Sequence, residues 1–222
     1  MKQVQITSEN TAAKDLGVIF SSGIGGLTMI QEQVIKMHEK GPKSVSPMFV
    51  LTAIVNMAAG NIALRIGAKN ICTSVVIACA SGTNAIGEAY RQIKEGRAKV
   101  MVAGGAEASV NAHGTATKAN DAAEAKAINL VFGEDSRVLV GSTKAMTGHL
   151  LGAAGAIEAI AVVASLQKGR LPVNIGMTEQ DKECKVNVVT QAKAHPEKLE
   201  YALSNSLGFG GHNAVLAFRK WS

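Results

Sequence analysis

Short apolar, β-branched segments in this chain end in turns of small residues and then run into helix-like repeats, and that order restricts its fold more than any other feature. Leu16 to Ser22 is an apolar run that closes in small residues. Gly23-Ile24-Gly25-Gly26 follows, and then Leu27, Ile30, Val34 and Met37 recur at helical spacing until Gly41-Pro42. Met48 to Ile66 repeats that spacing at Ile54, Met57, Ala58 and Ile62. Cys72 to Ala78 reads as a β-branched strand, Asn84 to Glu95 as an amphipathic helix, and Val100 to Ala103 as another buried strand ending in Gly104-Gly105. The second half repeats the outline: strand Val138 to Gly141, helix Ala153 to Leu166, then strands Lys185 to Val189, Ala202 to Ser204 and Ala214 to Phe218. Continuous apolar runs are strands covered on both faces, and intervening helices supply the cover. The expectation is a layered α/β fold built from two similar halves.

Composition narrows the class. Of 222 residues, 47% are hydrophobic and 18% charged, with 23 Gly against 4 Pro. A chain this apolar can bury a core and is not a disordered segment. Aromatics make up only 4%, which argues against a base-stacking platform for nucleic acid. The net charge of +6 comes from scattered Lys and Arg, which fits a solvated basic surface or an acidic protein partner. Met1 to Thr7 alternates like a strand and lacks the pattern of a signal peptide. Leu150 to Leu166 is apolar but Ala/Gly-rich and interrupted by Glu158, so it reads as a core helix and not a membrane span. Cys72, Cys79 and Cys184 are odd in number and lack CxxC spacing. That argues against a disulfide framework and a zinc site, and for a reducing cytoplasm.

Several residues stand where chemistry is possible. Cys79 lies in Ala78-Cys79-Ala80-Ser81-Gly82-Thr83, between a buried strand and a helix. The positive end of a helix there favours a thiolate, and small neighbours admit a substrate. On Cys79 alone, an inert buried thiol remains open. His113 follows Asn111-Ala112 and His149 follows Thr147-Gly148, both in small polar turns able to face a cleft. His38 sits on a helix and His195 precedes Pro196, so both read as surface residues. The Gly23–Gly26 turn lacks the glycine spacing of a phosphate loop and reads as a tight turn. Gly208-Phe209-Gly210-Gly211-His212-Asn213 is a glycine-flanked loop whose amides can converge on an oxyanion.

Five stretches together resemble one family. ACASGTNAIGEA (78–89), VAGGAEAS (102–109), NAHGTATKANDAAEAKAI (111–128), STKAMTGHLLGAAGAIEAI (142–160) and ALSNSLGFGGHNAVLAF (202–218) stand in the order found in β-ketoacyl-acyl-carrier-protein synthases of the elongating class, in the thiolase-like superfamily. The resemblance implies a thiolase-like layered α-β-α-β-α architecture, with one half in residues 1–109 and the other in 110–222. It implies that Cys79 accepts an acyl chain and that His113 and His149 stabilise the enolate formed from a malonyl thioester. Lys144 would hold the charge balance of the site, with Glu158 as its buried partner. The amides of Cys79 and Phe209 would form an oxyanion hole, the Phe209 ring would gate the acyl pocket, and His212 would belong to the loop framework. Thr115 and Thr117 match threonines that hold the phosphopantetheine arm. The partner implied is acyl carrier protein. A homodimer is expected as well, because the strand before Cys79 is apolar enough for a partner strand to cover it, and neither a cofactor nor a metal is expected. The His/His pair fits elongation better than initiation.

The chain also departs from this pattern. Family members are about twice as long, as two full domains require. The shortfall falls near Thr7-Ser8 and at Ser109-Val110, where two strand-like segments meet without turn chemistry. Either the sequence is part of a longer polypeptide whose internal segments are missing here, or the polypeptide is this short and is then expected to be poorly stable and little active, because buried strands would lose their neighbours. A non-catalytic carrier-binding scaffold and a polyketide ketosynthase both remain open at this point.

Overall fold

The first apolar run becomes the central strand of a sheet buried on both faces. A computed structural model describes residue 6 and residues 10–105, 117–134, 138–190 and 199–221. Both expected junctions, at Thr7-Ser8 and Ser109-Val110, lie outside the described residues. The elements in chain order are β1 (Leu16–Ser21), α1 (Leu27–Lys40), α2 (Phe49–Ala53), α3 (Met57–Ile66), β2 (Cys72–Thr73), α4 (Ser81–Lys94) and β3 (Val100–Gly105). They continue with α5 (Lys118–Phe132), β4 (Leu139–Val140), α6 (Lys144–Thr147), α7 (Ala154–Lys168), β5 (Asn187–Val188), β6 (Tyr201–Gly208) and β7 (His212–Arg219). The chain divides into two compact units. One holds Met1–Glu107, Gly152–Ala156 and Ser206–Ala214; the other holds Ala108–Leu151, Ile157–Asn205 and Val215–Ser222.

In the first unit the sheet order is β2-β1-β3, with both pairings parallel. Val18 lies opposite Val102 and Ile19 opposite Ala103. Because side chains alternate across a strand, one β1 residue packs up and the next packs down. Val18 meets Ala59 and Ala63 of α3, with Phe20, Ile62, Ile66 and Val102 around them. Ile19 meets Ala85 and Ala89 of α4, with Val75, Met101 and Ala103 around them. Val18 and Ile19 are both 0% exposed. Each contributes about 1.5–3 kcal/mol by leaving water, so the helix–sheet–helix sandwich is pinned at its middle strand.

Two details differ from the sequence pattern. The segment 48–66 forms two helices, because the Ala53 carbonyl accepts the Gly26 amide at 2.9 Å and Ile54 turns extended at ψ 142°. The strand expected over 72–78 pairs only at Cys72 and Thr73. Beyond them, side chains replace the ladder: Ser74 donates to the Phe20 carbonyl at 2.7 Å, and the Val75 amide donates to Ser21 Oγ at 3.0 Å. Ser21 is 0% exposed, so this serine bond is part of the core.

In the second unit β4 and β5 pair in parallel, Leu139 with Asn187 and Val140 with Val188. Asn129 of α5 donates to the Lys185 carbonyl at 2.9 Å and ties that helix to the β5 approach. The stretch Leu151–Lys168 has a mean hydropathy of 1.3, long and apolar enough by composition to cross a membrane. Glu158 in its middle is nevertheless paired with Lys144, as a polar residue of a protein interior must be.

Candidate active site

Cys79 sits where the sheet hands the chain to α4. Residues Ala78–Ala80 form one turn of 3-10 helix, and α4 begins at Ser81. The thiol residue is 5% exposed. Ala78 has φ 49°, a left-handed backbone that residues with a Cβ avoid. Gly208, at the end of β6, packs directly onto this turn. A methyl group there would stand 3.1 Å from the Ile77 carbonyl oxygen and 3.5 Å from the Ala80 amide nitrogen. Phe209 follows, 72% exposed, in a turn whose Gly210 and Gly211 take φ 81° and 79°. Only glycine enters that conformation without strain, which explains the Gly-Gly pair. His212 lies over Gly210 in the same turn: a Cβ at Gly210 would approach its ring to 3.5 Å. Nearby, Thr83 Oγ1 and Ser206 Oγ share a buried hydrogen bond of 2.7 Å that joins α4 to β6. The Cys79 turn and the Phe209 turn therefore belong to one unit.

The second unit holds a charged cluster. Asn174 links the end of β4 to its neighbour: its amide donates to the Val189 carbonyl at 2.8 Å, and its side chain accepts the Ser142 amide at 3.3 Å. The Lys144 amide in turn donates to Ser142 Oγ at 3.2 Å, which opens α6. Lys144 Nζ is ion-paired with Glu158, and the two side chains are only 13% and 15% exposed. Thr117 stands exposed immediately before α5 and accepts the Asp121 amide on its carbonyl at 3.0 Å. His113 and Thr115 lie outside the described residues, as does His195.

His149 is 3% exposed, and its Nδ1 accepts the Leu151 amide at 3.0 Å. An accepting Nδ1 carries no proton, so a neutral ring holds its proton on Nε2. The bond thus sets the tautomer, with the proton on Nε2.

Glu124 was not singled out from the sequence, yet it belongs to this cluster. Burial pushes its carboxyl above the ordinary range; a hydrogen bond from Asn205 and the Lys144 charge pull the other way, while Asp121 and Glu158 add to the rise. Asn205 donates to it at 3.4 Å. The available signal was slight: Glu124 directly precedes Ala125, the buried position of α5.

Comparison with known proteins fixes the class. All of the chain superposes on 82% of a ketosynthase chain from a complex with a type II PKS acyl-carrier protein, with TM-score 0.92 and 20% identity. A β-ketoacyl synthase from Burkholderia phymatum STM815 gives TM-score 0.87 at 23% identity, covering 98% of this chain and 78% of the other. The fold is that of the ketosynthases, a thiolase-like α/β architecture. Residues 74–178 match the description "Beta-ketoacyl synthase, C-terminal domain". The 3-oxoacyl-[acyl-carrier-protein] synthase 2 of Staphylococcus aureus (strain N315) is 30% identical over 327 residues, covering 100% of this chain and 79% of the relative. The synthase of the same name from Synechocystis is 29% identical over 316 residues, with 94% and 76% covered. The chain belongs to the β-ketoacyl synthase family. The Staphylococcus alignment runs over more residues than the 222 of this chain, so the relative carries internal segments without a counterpart here.

Proposed function

We propose that the chain is a 3-oxoacyl-[acyl-carrier-protein] synthase, an acyltransferase that extends acyl thioesters by two carbons in fatty acid biosynthesis. The observation that carries this reading is the Cys79 turn: a buried thiol at the start of α4, with the Gly208–Gly211 loop packed against it. The positive end of α4 favours the thiolate. The thiolate adds to the carbonyl of an acyl-carrier-protein thioester, and collapse of the adduct expels the carrier thiol and leaves acyl-Cys79. The amides of Cys79 and Phe209 receive the oxyanion in that step. Malonyl-carrier-protein then loses carbon dioxide, and its electron pair becomes an enolate held by His113 and by Nε2–H of His149. The enolate carbon attacks acyl-Cys79 and expels the thiolate, which releases a 3-oxoacyl-carrier-protein. Lys144 and Glu158 keep the local charge balanced while the enolate forms, and Thr115 and Thr117 hold the phosphopantetheine arm.

The chain works in the cytoplasm as a homodimer in this reading. Among the described residues β2 is an edge strand, and beyond it Val76 is 46% exposed. Such an edge invites a second strand.

The test is direct. Purified protein receives acyl- and malonyl-carrier-protein, and the 3-oxoacyl product is measured by mass spectrometry. Cys79→Ala is expected to lose activity by about a thousandfold or more. Elongation that survives this change refutes the reading. The internal segments absent relative to the Staphylococcus synthase favour one rival, a non-catalytic carrier-binding scaffold. Thiol labelling separates the two. In an enzyme Cys79 reacts faster than exposed Cys72 and faster than Cys184, whose thiol is pushed up by burial and by Asp181. In a scaffold it does not.

A further inference from the structure

The backbone that carries Cys79 is bent into a conformation an alanine resists, so something must hold it there. Ala78 has φ 49°. Ser81, three residues on, is 0% exposed. Its hydroxyl does two things at once: Oγ accepts the Ile77 amide at 3.0 Å and donates to the Ala78 carbonyl at 2.6 Å. Those two backbone groups bracket Ala78. The Ile77 carbonyl is also taken, by the Ala80 amide at 3.2 Å. Gly208 lies against the same turn, so close that a Cβ there would stand 3.1 Å from the Ile77 carbonyl oxygen. A hydroxyl is the smallest side chain that both donates and accepts, and a fully buried position leaves no room for a longer one.

We propose that Ser81 is a positioning residue for the nucleophile. Its hydroxyl locks Ala78 in the left-handed conformation and so fixes the Cys79 backbone against the start of α4 and the Gly208 turn. The proposal rests on reading Cys79 as the reactive thiol.

The experiment compares Ser81→Ala, Ala78→Gly, the double variant and Cys79→Ala in the full chain. Alkylation of Cys79 by iodoacetamide is followed across pH by peptide mass, with Cys72 as the internal standard. Ser81→Ala should slow Cys79 alkylation roughly tenfold to a hundredfold and alter its pH profile, with Cys72 unchanged. Ala78→Gly should react like the parent, because glycine enters this conformation freely. The double variant should recover most of the lost rate. A parent-like rate and profile in Ser81→Ala, or a double variant as slow as the single, overturns the proposal. Should Ser81→Ala fail to fold, the double variant decides: a folded chain with reactive Cys79 supports the clamp, and failure to recover overturns it. Cys79→Ala keeps the two claims apart. If it still elongates acyl chains, the nucleophile reading fails, whatever the alkylation series shows about the clamp.

Discussion

The two units hold their candidate site residues by different physics. Around Cys79 the contacts are backbone groups and neutral hydroxyls: Ser81 on Ile77 and Ala78, Thr83 with Ser206, Ser21 under Val75. Around Lys144 the contacts are charges: the Glu158 ion pair, with Glu124 close enough to feel both members and Asp121 as well. Neutral hydrogen bonds fix geometry and respond little to pH or salt. A cluster of buried charges responds to both, and it tolerates the loss of one member badly. In the proposed reaction the nucleophile needs the first kind of support, since its sulfur must stay in place while charge moves. A site that stabilises a transient negative charge gains from the second.

The largest effect should come from halving the charged pair. Glu158→Ala leaves the Lys144 ammonium in a site where only 13% of its side chain meets water. A buried charge stripped of its partner costs about 3–5 kcal/mol. Urea unfolding should show the midpoint falling accordingly. Replacing both, as Lys144→Met with Glu158→Leu, should recover most of that loss, since the pair contributes little net stability. A double variant no more stable than Glu158→Ala would mean that the pair is held by something other than mutual neutralisation.

The neutral side of the comparison predicts a smaller loss. Thr83→Val keeps shape but removes the partner of Ser206, whose residue is 5% exposed. An orphaned buried hydroxyl costs about 1–3 kcal/mol. Adding Ser206→Ala should return stability close to the parent value. Unlike the Glu158 series, neither variant should change its deficit between low and high salt. A salt-dependent deficit at Thr83 would erase the distinction between the units.

The features that could be foreseen are the ones written in large apolar side chains. β1 and β3 announce themselves as continuous apolar runs, α1 and α4 by apolar residues at helical spacing, and α7 as a long apolar stretch. α5 does not: Lys118–Phe132 is Ala-rich, buries only Ala125, and is a helix by propensity more than by pattern. The shortening of β2 was equally hidden, because it depends on hydroxyls of Ser21 and Ser74 taking over a ladder that β-branched residues seemed to promise. The same holds around the candidate site. The place of Cys79 just before α4 was legible from the chain order, and the Lys144–Glu158 pairing from the motifs. Glu124 was not, because its burial and its Asn205 partner, 81 residues away, exist only once the chain has folded.

Glu124 offers the finest test of the charged unit, through pH. Burial raises its carboxyl above the ordinary value, with Asp121 and Glu158 adding to the rise and Asn205 and Lys144 opposing it. A raised value means that the folded chain holds this proton more tightly than the unfolded chain does. Its contribution is therefore full below the ordinary glutamate range and declines as pH climbs from there through the raised value. Over that window the parent should lose stability from this residue, by an amount smaller than either mutational effect above. Glu124→Gln keeps an amide oxygen for Asn205 and cannot ionise, so its stability should not carry that decline. Urea midpoints taken from about pH 4 to about pH 8 would show the parent and variant curves diverging as pH rises, with the variant the more stable at the upper end. Parallel curves would mean that Glu124 titrates like an exposed carboxylate. The second unit would then be tuned by the Lys144–Glu158 pair without it.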